Sequence, residues 1–521
     1  MNKIIKLITI LCFIGGIFAQ NMPVNYKFST GTLAKASAEE SVKNPVGNSA
    51  TDLVLTRDII WVLTNKGLSK STDNGLNWVS YPDEDVLENE SAYFMDYDNG
   101  VLWCSFGHRE TLLGSTKDVG GGLVYTIDEG VTWYHIEQPV DAEGDTLITY
   151  GINNLRALPV TSKVNNITWD VEVVDGTIWI ASFAGGLRKS SDMGQNWERV
   201  VLPPDELDSI SPTDTLNFSL QPVAGNFGPE DHVNHRIFSV EAVNKDTVLV
   251  GTAGGINITF DGGMSWKKVN HQNQANGIVG NFVTNIAYNP VDKSIWASCR
   301  AAEGQGEKMG VSYSYDFGET WTTVLEGYKA HYIGFKGTDV FVPTTGKGML
   351  RTSDGGKTWV EAGKITDSQT YVSANTLDYH VAGSLQRPDF SYDIWLGSVR
   401  GLTRLNETGN AWEGDWKVFF ETGKPQKSYA FPNPFRPKNS VVNIKYFLQK
   451  ESGEVTIRIF DFGMNLVRTV IQNTTRNNKG EKIDTWDGKD DYGKTVPNGV
   501  YFYRVDVDSD DPVFGKILVV L

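Results

Sequence analysis

One eight-residue pattern recurs six times along this 521-residue chain and limits its possible folds more than any other feature. The pattern reads Ser/Thr-x-Asp-x-Gly-x-x-Trp, and a clear copy runs from Ser190 to Trp197. A fixed pattern that returns every few tens of residues is the signature of a repeat architecture. We call this pattern the box, and its Asp and Trp residues are Asp73 and Trp78, Asp128 and Trp133, Asp192 and Trp197, Asp261 and Trp266, Asp316 and Trp321, and Asp354 and Trp359.

The residue types of the box predict a tight hairpin turn. The Asp side chain can accept hydrogen bonds from backbone N–H groups that follow it, the Gly can adopt a positive φ, and the Ser or Thr hydroxyl adds a local bond. The Trp is then the first large apolar side chain of the next strand, where it can pack on neighbouring layers. We therefore interpret the box Asp as a structural residue and not as a cation ligand, because one carboxylate per turn lacks the oxygens that calcium needs.

The segments before the boxes also repeat and predict a four-stranded antiparallel unit. Each contains a strand rich in Ile, Val and Trp, a Gly turn and a shorter strand that enters the box, as in GTIWIASFAGGLRKS before Asp192. A further apolar stretch lies upstream of each. A seventh, degenerate box ends at Trp412. Seven such units predict an all-β fold, a seven-bladed β-propeller over residues 50–420.

These boxes and the strands before them resemble the Asp-box (BNR repeat) propellers. That group includes sialidases, sortilin-type receptors, xyloglucan hydrolases and a photosystem assembly factor. The resemblance implies the propeller fold, but it does not imply one function, because one fold hosts many functions.

The N-terminus is typical of an exported protein. Residues 1–19 have a basic start, Lys3 and Lys6, then an apolar run and Ala19 before a polar segment, which predicts a signal peptide. The leader, residues 20–49, is either disordered or contributes a ring-closing strand at 24–29. No later stretch has the length of apolar sequence that a membrane span needs, so we expect a mature chain without one. The net charge of −16 argues against nucleic acid as a partner.

Cysteine usage predicts free thiols. After signal removal only Cys104 and Cys299 remain, and they fall in comparable strands of units two and five. Those units are not neighbours in a seven-membered ring, whereas a disulfide needs Cα atoms within about 7 Å. We therefore expect two buried free cysteines.

The chain changes character after a polar linker, residues 421–428. Residues 429–521 contain alternating apolar positions at Val455, Ile457 and Ile459 and a turn at Pro497-Asn498-Gly499, which predict a small immunoglobulin-like β-sandwich. The stretches YAFPNPF and WDGKDDYGKTVPNGVYFYRV resemble the FlgD-type immunoglobulin-like domain used as a C-terminal sorting domain in type IX secretion. That resemblance implies the secretion machinery as a partner, and a secreted or surface location.

Long insertions point to one face of the propeller as the binding face. In a four-stranded blade the boxes and the short connections share one face, whereas nearly all long insertions fall on the other, and binding function concentrates in long loops on a rigid scaffold. Two histidines three apart could bind a metal, but no third ligand is evident, so we predict no metal and no cofactor. The ligand-binding candidates in or beside these loops are Arg109, Arg156, His232, His235, Arg236, Arg300 and Arg400.

The sequence therefore predicts a monomeric, exported propeller that binds an extracellular glycan or protein. Arginines around a central mouth would suit an acidic or carbohydrate ligand. The alternative is a glycoside hydrolase, sialidase-like or xyloglucanase-like, which would need paired carboxylates about 5–10 Å apart in the mouth. The catalytic motifs that we sought, including the Arg-Ile-Pro signature of sialidases, a nucleophile elbow and a phosphate loop, do not occur, so no catalytic residue is assigned.

Overall fold

The computed structural model of the protein describes residues 42–87, 90–112, 114–222, 232–370, 372–374, 376–420, 428–448, 450–508 and 512–521. The predicted signal peptide and the ring-closing strand at 24–29 lie outside these residues. The fold within them is all-β apart from short helical turns, and it comprises seven blade sheets of four or five strands and a further three-stranded sheet, followed by a two-sheet sandwich. The prediction of a seven-bladed propeller followed by an immunoglobulin-like sandwich is confirmed.

The first four blades contain, in chain order, these elements. Blade 1 is β1 (Ala50–Leu55), β2 (Ile60–Thr64), β3 (Gly67–Ser71) and β4 (Val79–Pro82), and it is followed by the short helix α1 (Asp83–Val86). Blade 2 is β5 (Ser91–Asp98), β6 (Val101–Leu112), β7 (Ser115–Thr126) and β8 (Tyr134–Glu137), and it is followed by β9 (Leu147–Tyr150) and β10 (Asn153–Ala157). Blade 3 is β11 (Thr168–Val174), β12 (Thr177–Ser182), β13 (Gly186–Ser190) and β14 (Glu198–Arg199). After β15 (Ser209–Ile210), β16 (Ser219–Leu220) and a 3₁₀ turn (Val233–His235), blade 4 is β17 (Ile237–Ala242), β18 (Val248–Thr252), β19 (Gly255–Thr259) and β20 (Trp266–Val269).

The remaining blades and the sandwich follow in the same way. Blade 5 is β21 (Phe282–Tyr288), β22 (Ile295–Arg300), β23 (Gly310–Ser314) and β24 (Thr322–Val324). Blade 6 is β25 (Lys329–Ala330), β26 (Gly334–Lys336), β27 (Asp339–Thr345), β28 (Met349–Thr352) and β29 (Val360–Glu361). Blade 7 is β30 (Tyr379–Gln386), β31 (Tyr392–Ser398), β32 (Gly401–Glu407) and β33 (Gly414–Phe419). The sandwich is β34 (Tyr429–Phe431), β35 (Val442–Leu448), β36 (Ser452–Phe460), β37 (Leu466–Asn477), β38 (Gly480–Trp486), β39 (Gly499–Val507) and β40 (Val513–Val519).

The ring closes through contacts between innermost strands. The first strand of each blade lies innermost, and β30 of blade 7 contacts β1 of blade 1. In blade 6 the innermost strand is broken, because β25 and β26 both pair with β27 and residues 331–333 lie between them. Because of this interruption, Tyr332 lies outside the strands of blade 6.

The box forms the predicted turn. In blade 3 the Ser190 hydroxyl donates to Asp192 Oδ1 at 2.8 Å and accepts from the Gly194 N–H at 2.9 Å, while the Asn196 N–H donates to Asp192 Oδ1 at 2.9 Å. Partial burial alone would raise the pKa of the Asp192 carboxyl, but these hydrogen bonds outweigh burial and lower it. The other five copies make the same three bonds.

The box glycine also sets the spacing between blades. Gly194 has φ +77°, and a Cβ there would lie 2.6 Å from Ile136 Cδ1 of the preceding blade. At Gly75 a Cβ would lie 2.8 Å from the rings of Trp395 and Phe419, in blade 7. A larger residue would therefore be strained in backbone and would push neighbouring blades apart.

Blade 7 replaces the box with a buried ion-pair network. Glu407 accepts hydrogen bonds from Arg351 and Lys336 of blade 6 and from the Trp412 N–H. Arg351 also binds Asp339, and its guanidinium lies 5.6 Å from the centre of the Trp412 ring. Charged hydrogen bonds and stacking thus join blades 6 and 7 where the turn pattern has degenerated.

Two long insertions combine into one accessory sheet. β9 and β10 come from the connection between blades 2 and 3, whereas β16, which pairs with β10 in parallel, comes from the connection between blades 3 and 4. Tyr150 and Leu155 of this sheet pack with Ile210 and Trp266 at the outer strand of blade 4. The two buried cysteines, Cys104 and Cys299, are free, as predicted.

The C-terminal sandwich has one sheet of order β34-β35-β38 and another of order β37-β36-β39-β40. Its core lies between these sheets and includes Ile444, Val455, Ile457, Trp486 and Tyr503. The alternation predicted at Val455, Ile457 and Ile459 places these three side chains inside.

We predict that the box tryptophans contribute unequally to stability. Trp133 is 1% exposed between blades 1 and 2, whereas Trp197 is half-buried. Trp133→Ala should lower the free energy of unfolding by about 3–5 kcal/mol, and Trp197→Ala by roughly 1–2 kcal/mol. Equilibrium denaturation of the two variants tests this, and equal losses would contradict it.

Candidate functional site

The face opposite the boxes surrounds the entrance to the central channel. The turn between β1 and β2 lines the same surface groove as the box of blade 1, so the innermost strands end at the box face and begin at the opposite face. We call the ring of side chains at these beginnings, and at the adjacent turns, the mouth. It comprises Tyr93, Trp169, Phe183, Arg236, Phe238, Phe282, Arg300, His331, His380 and Arg400, all half-buried.

Aromatic rings line the mouth across blades 2 to 5 in two contacting groups, which together we call the aromatic arc. Tyr93 and Trp169 meet edge to face with ring centres 5.4 Å apart, and Phe238 lies 6.0 Å from Phe183 and 4.5 Å from Phe282. Tyr93, Trp169 and Phe238 occupy bulges in β5, β11 and β17, where the pairing with the second strand shifts. Because a bulge redirects its extra residue, it turns these side chains out of the regular sheet.

Cationic and imidazole groups form the rest of the mouth across blades 5 to 7. The Arg300 guanidinium lies 6.0 Å from the Phe282 ring centre and near His331, whose ring is 5.4 Å from that of His380. Arg400 follows in the turn before β32 and lies close to Asp378. Desolvation, with help from His380 and Arg300, lowers the pKa of His331 to about 3, so this imidazole is neutral.

Two of these arginines are underpaired. Arg300 Nε and Arg400 Nη1 are inaccessible to solvent and have no hydrogen-bond acceptor among the described residues. Neither guanidinium has a carboxylate within 4.0 Å in that part of the chain, and desolvation lowers the pKa of Arg400 to about 10. Buried, unsatisfied donors cost about 1–3 kcal/mol each, so pairing within the described residues does not stabilise these two guanidiniums.

Two aromatic rings meet across the channel beneath the mouth. Phe94 of blade 2 and Tyr332 of blade 6 meet with ring centres 5.2 Å apart, although these blades stand on opposite sides of the ring. Tyr332 can reach this position because the innermost strand of blade 6 is interrupted there. The two rings therefore narrow the channel beneath the mouth.

Acidic side chains on the innermost strands join blades 1 to 4 in succession. Asp52 accepts the Met95 N–H at 2.7 Å, Asp96 accepts the Val173 N–H at 2.6 Å, and Asp170 accepts the Val240 N–H at 2.9 Å. Asn285 binds the Ile333 N–H in the same way at 3.1 Å. These bonds satisfy backbone N–H groups at the inner edges of the sheets.

Burial raises the pKa of the acidic side chains on these innermost strands, which we call the acidic layer. The pKa of Asp52 rises to about 7, that of Asp96 to about 6 and that of Glu241 to about 8, and those of Asp170 and Glu172 also rise. Repulsion among neighbouring carboxylates adds to the effect of desolvation. Much of this layer is therefore protonated near neutral pH.

The predicted arginines divide between the mouth and other surfaces. Arg236, Arg300 and Arg400 lie at the mouth, and the Arg236 guanidinium stacks 5.7 Å from the Phe183 ring centre while Nη1 is 3.9 Å from Glu303. Arg109 lies near Tyr93 on the projecting β6–β7 hairpin and is paired with Asp118 at 2.9 Å. Arg156 is exposed on the accessory sheet that packs on the outer wall.

The two predicted histidines are buried in loop-fastening roles. His232 and His235 are each 3% exposed, and their rings lie 5.0 Å apart. His235 Nδ1 accepts the Gln221 N–H at 3.2 Å and Nε2 donates to the Leu202 carbonyl at 3.1 Å. Desolvation lowers the pKa of His235 to about 3, so this ring is a neutral structural group. Both histidines are therefore structural residues and lie outside the proposed ligand site.

Sequence reasoning missed the aromatic arc and the acidic layer. Tyr93, Trp169, Phe238 and Phe282 read as ordinary strand residues, and the only available signal was their shared place at the start of the first strand in each unit. Across the described ranges, no group of three His, Cys, Asp or Glu side chains could hold a metal ion. In the same residues, no helix is long and apolar enough to cross a membrane.

We predict that the folded chain loses stability as pH rises from about 5 to 8. The carboxyls of Asp52, Asp96 and Glu241 bind protons more tightly when folded than when unfolded, where their pKa is about 4. Their contribution is therefore complete below pH 4 and disappears as pH passes the folded values of 6 to 8. Melting temperatures between pH 5 and 8 measure this. Asp52→Asn should flatten the dependence and the exposed Asp58→Asn should not, so a stability that increases with pH would contradict the account.

Comparison with known proteins gives a domain match and distant structural similarity. The family model described as FlgD Ig-like domain matches residues 437–511. No curated protein matches the chain. Similar solved structures include a GH74 xyloglucanase from Xanthomonas campestris (13% identity, TM-score 0.48), YCF48 from Cyanidioschyzon merolae (15%, 0.41) and PorZ, a surface component of the type-IX secretion system of Porphyromonas gingivalis (14%, 0.29). The matches cover 78%, 70% and 91% of this chain, and 59%, 97% and 75% of those proteins, respectively.

Proposed function

We propose that this chain is exported and that its propeller binds a carboxylate-bearing extracellular glycan at the mouth. The observation that carries the proposal is the pair of underpaired arginines, Arg300 and Arg400, on either side of blade 6. A carboxylate accepts charge-assisted hydrogen bonds from guanidinium groups, and the two half-buried side chains offer such groups without a carboxylate partner among the described residues.

The aromatic arc supports a sugar as the carrier of that carboxylate. Trp169, Tyr93 and Phe238 offer half-exposed rings, and large aromatic side chains provide broad apolar contact area with a fixed geometry. A peptide that added as a strand would instead need free backbone groups. The N–H groups of Met95, Val173 and Val240 at the inner edges are already bound by carboxyls. A glycan therefore suits the mouth better than an extended peptide.

The narrowed channel favours entry of the glycan by a terminal unit. The Phe94–Tyr332 contact obstructs the channel at that level, so we expect that an internal segment of a long chain does not thread it. The acidic layer is a poor acid–base pair for a glycosidase, because Asp52 and Asp170 are 3% and 2% exposed and are bound to backbone N–H groups. Binding without cleavage is therefore our preferred reading over the glycoside hydrolase alternative.

The C-terminal sandwich is proposed to direct export through type IX machinery. The match of residues 437–511 to the FlgD Ig-like model supports this role, as does the resemblance of YAFPNPF and its downstream stretch to sorting domains.

The full chain should reach the cell surface or medium in a host with that machinery and stay inside the outer membrane of a host without it. Equal surface levels in both hosts would contradict the proposal.

Glycan binding can be tested with uronic-acid-terminated oligosaccharides and their carboxamide counterparts. We expect the acids to bind and the amides to bind at least about tenfold more weakly, because each lost charge-assisted contact is worth about 1.5–3 kcal/mol. Arg300→Gln and Arg400→Gln should each weaken binding of the acid by a similar factor. The matched control is Arg57→Gln on the box face, which should bind normally.

Calorimetric titration of the full chain separates the outcomes. Equal affinity for acids and amides, or unchanged binding by both mouth variants, would overturn the carboxylate assignment. If peptides bind through their C-terminal carboxylates and no glycan binds, the glycan assignment is overturned. Release of reducing sugar from a bound oligosaccharide would favour the hydrolase.

A further inference from the structure

The three-stranded sheet of the C-terminal sandwich is covered on both faces. In β35 the residues Val442, Ile444 and Tyr446 face the sandwich core, and the alternate residues Asn443 and Lys445 are also buried, at 1% and 3% exposure. A strand in a free two-sheet sandwich alternates between buried and exposed positions. The second face of this sheet must therefore be covered by another part of the chain.

The covering layer belongs to the propeller. The connection between blades 6 and 7 folds back on itself through the pairing of Thr366 with Ser373, and it runs beside β33, where Asp367 accepts the Val418 N–H at 3.0 Å. From the sandwich, Asn443 makes two bonds to the Ser373 backbone. Its Nδ2 donates to the Ser373 carbonyl at 3.2 Å, and its Oδ1 accepts the Ser373 N–H at 3.3 Å.

Apolar contacts surround this polar clamp. Phe431 of the sandwich stacks on Phe420 of the propeller, with ring centres 4.5 Å apart and planes 21° apart. Phe431 and Ile483 are 8% and 4% exposed and belong to the same hydrophobic cluster as Ile365 and Val372. That cluster continues without a break into the seam between blades 6 and 7 through Phe341, Trp412 and Val418.

We infer that the sandwich is a domain that stays bound to the propeller through this interface, and not only through the linker between residues 420 and 428. An interface with a buried two-point backbone clamp and stacked aromatic rings resembles the centre of a stable protein–protein contact. Cutting the linker would remove the covalent tether but none of these contacts. Export processing at the linker would thus leave the sandwich bound to the propeller.

This arrangement also determines what loss of the sandwich would do. Val372, Ile365 and Phe420 would lose their cover at the seam between blades 6 and 7. A contiguous exposed apolar patch favours association with another surface. A propeller without its sandwich should therefore be less stable and more prone to self-association than the intact protein.

A protease site inserted into the linker of the full-length chain tests the inference. After complete cleavage under native conditions, the two fragments should elute together in size-exclusion chromatography and separate only when denaturant is added. Phe431→Ala and Asn443→Ala should raise the dissociation constant of the cut pair by about tenfold or more, because each removes a buried contact. The matched control is Phe462→Ala, on a side chain that is 79% exposed, and it should leave the pair intact.

Circular dichroism of the uncut variants checks that each variant is folded before cleavage. If Phe431→Ala does not fold, Asn443→Ala alone tests the interface. This substitution removes both hydrogen bonds to the Ser373 backbone and changes only one polar side chain. If the fragments separate on cleavage when the interface carries no substitution, the inference is overturned. Cut pairs of both interface variants that hold together as tightly as the Phe462→Ala pair would also overturn it.

Discussion

A short turn with no room for a side chain at its glycine holds six of the seven blades of this propeller against the one before. Gly194 approaches Ile136 of blade 2, and Gly75 approaches Trp395 and Phe419 of blade 7, so the box controls blade spacing as well as chain reversal. The Asp192 carboxylate makes the turn rigid by accepting bonds from Ser190 and Asn196. Where the pattern fails, in blade 7, the buried Arg351–Glu407 pair occupies the corresponding seam. A seam without either device would leave adjacent sheets free to slide.

The two sets of aspartates in the molecule respond to pH in opposite directions. Hydrogen bonds lower the pKa of the box residue Asp192, so its stabilising effect is present above about pH 4 and is lost in acid. Desolvation raises the pKa of the channel residues Asp52 and Glu241, so their contribution is lost toward alkaline pH. The fold should consequently be most stable in mildly acidic solution. The same residue type thus has opposite effects because its surroundings differ.

The sequence was sufficient for the architecture because the signals of the fold are local. A box needs only its own eight residues to form, and the buried strands before it carry a strong apolar pattern, so seven blades and the alternation at Val455, Ile457 and Ile459 could be predicted. The site depends on contacts between distant segments. Nothing local to Phe94 or Tyr332 indicates that they meet across the channel, or that strands at 153–157 and 219–220 pair. His232 and His235 were predicted as ligand residues because polar loops are usually exposed, whereas this loop folds inward.

The contrast between arginines in this molecule is the strongest support for the proposed binding site. Arg351 is 5% exposed, and it is paired with Glu407 and Asp339 and stacked on Phe341 and Trp412. Arg300 and Arg400, by contrast, are half-buried at the mouth and have no carboxylate partner among the described residues, in a chain that carries 63 acidic residues. Stability alone would favour an acceptor there, since a partly buried cation without a partner is less stable than a paired one. Two underpaired guanidiniums beside a set of half-exposed aromatic rings are better explained by a ligand that arrives with its own negative charge.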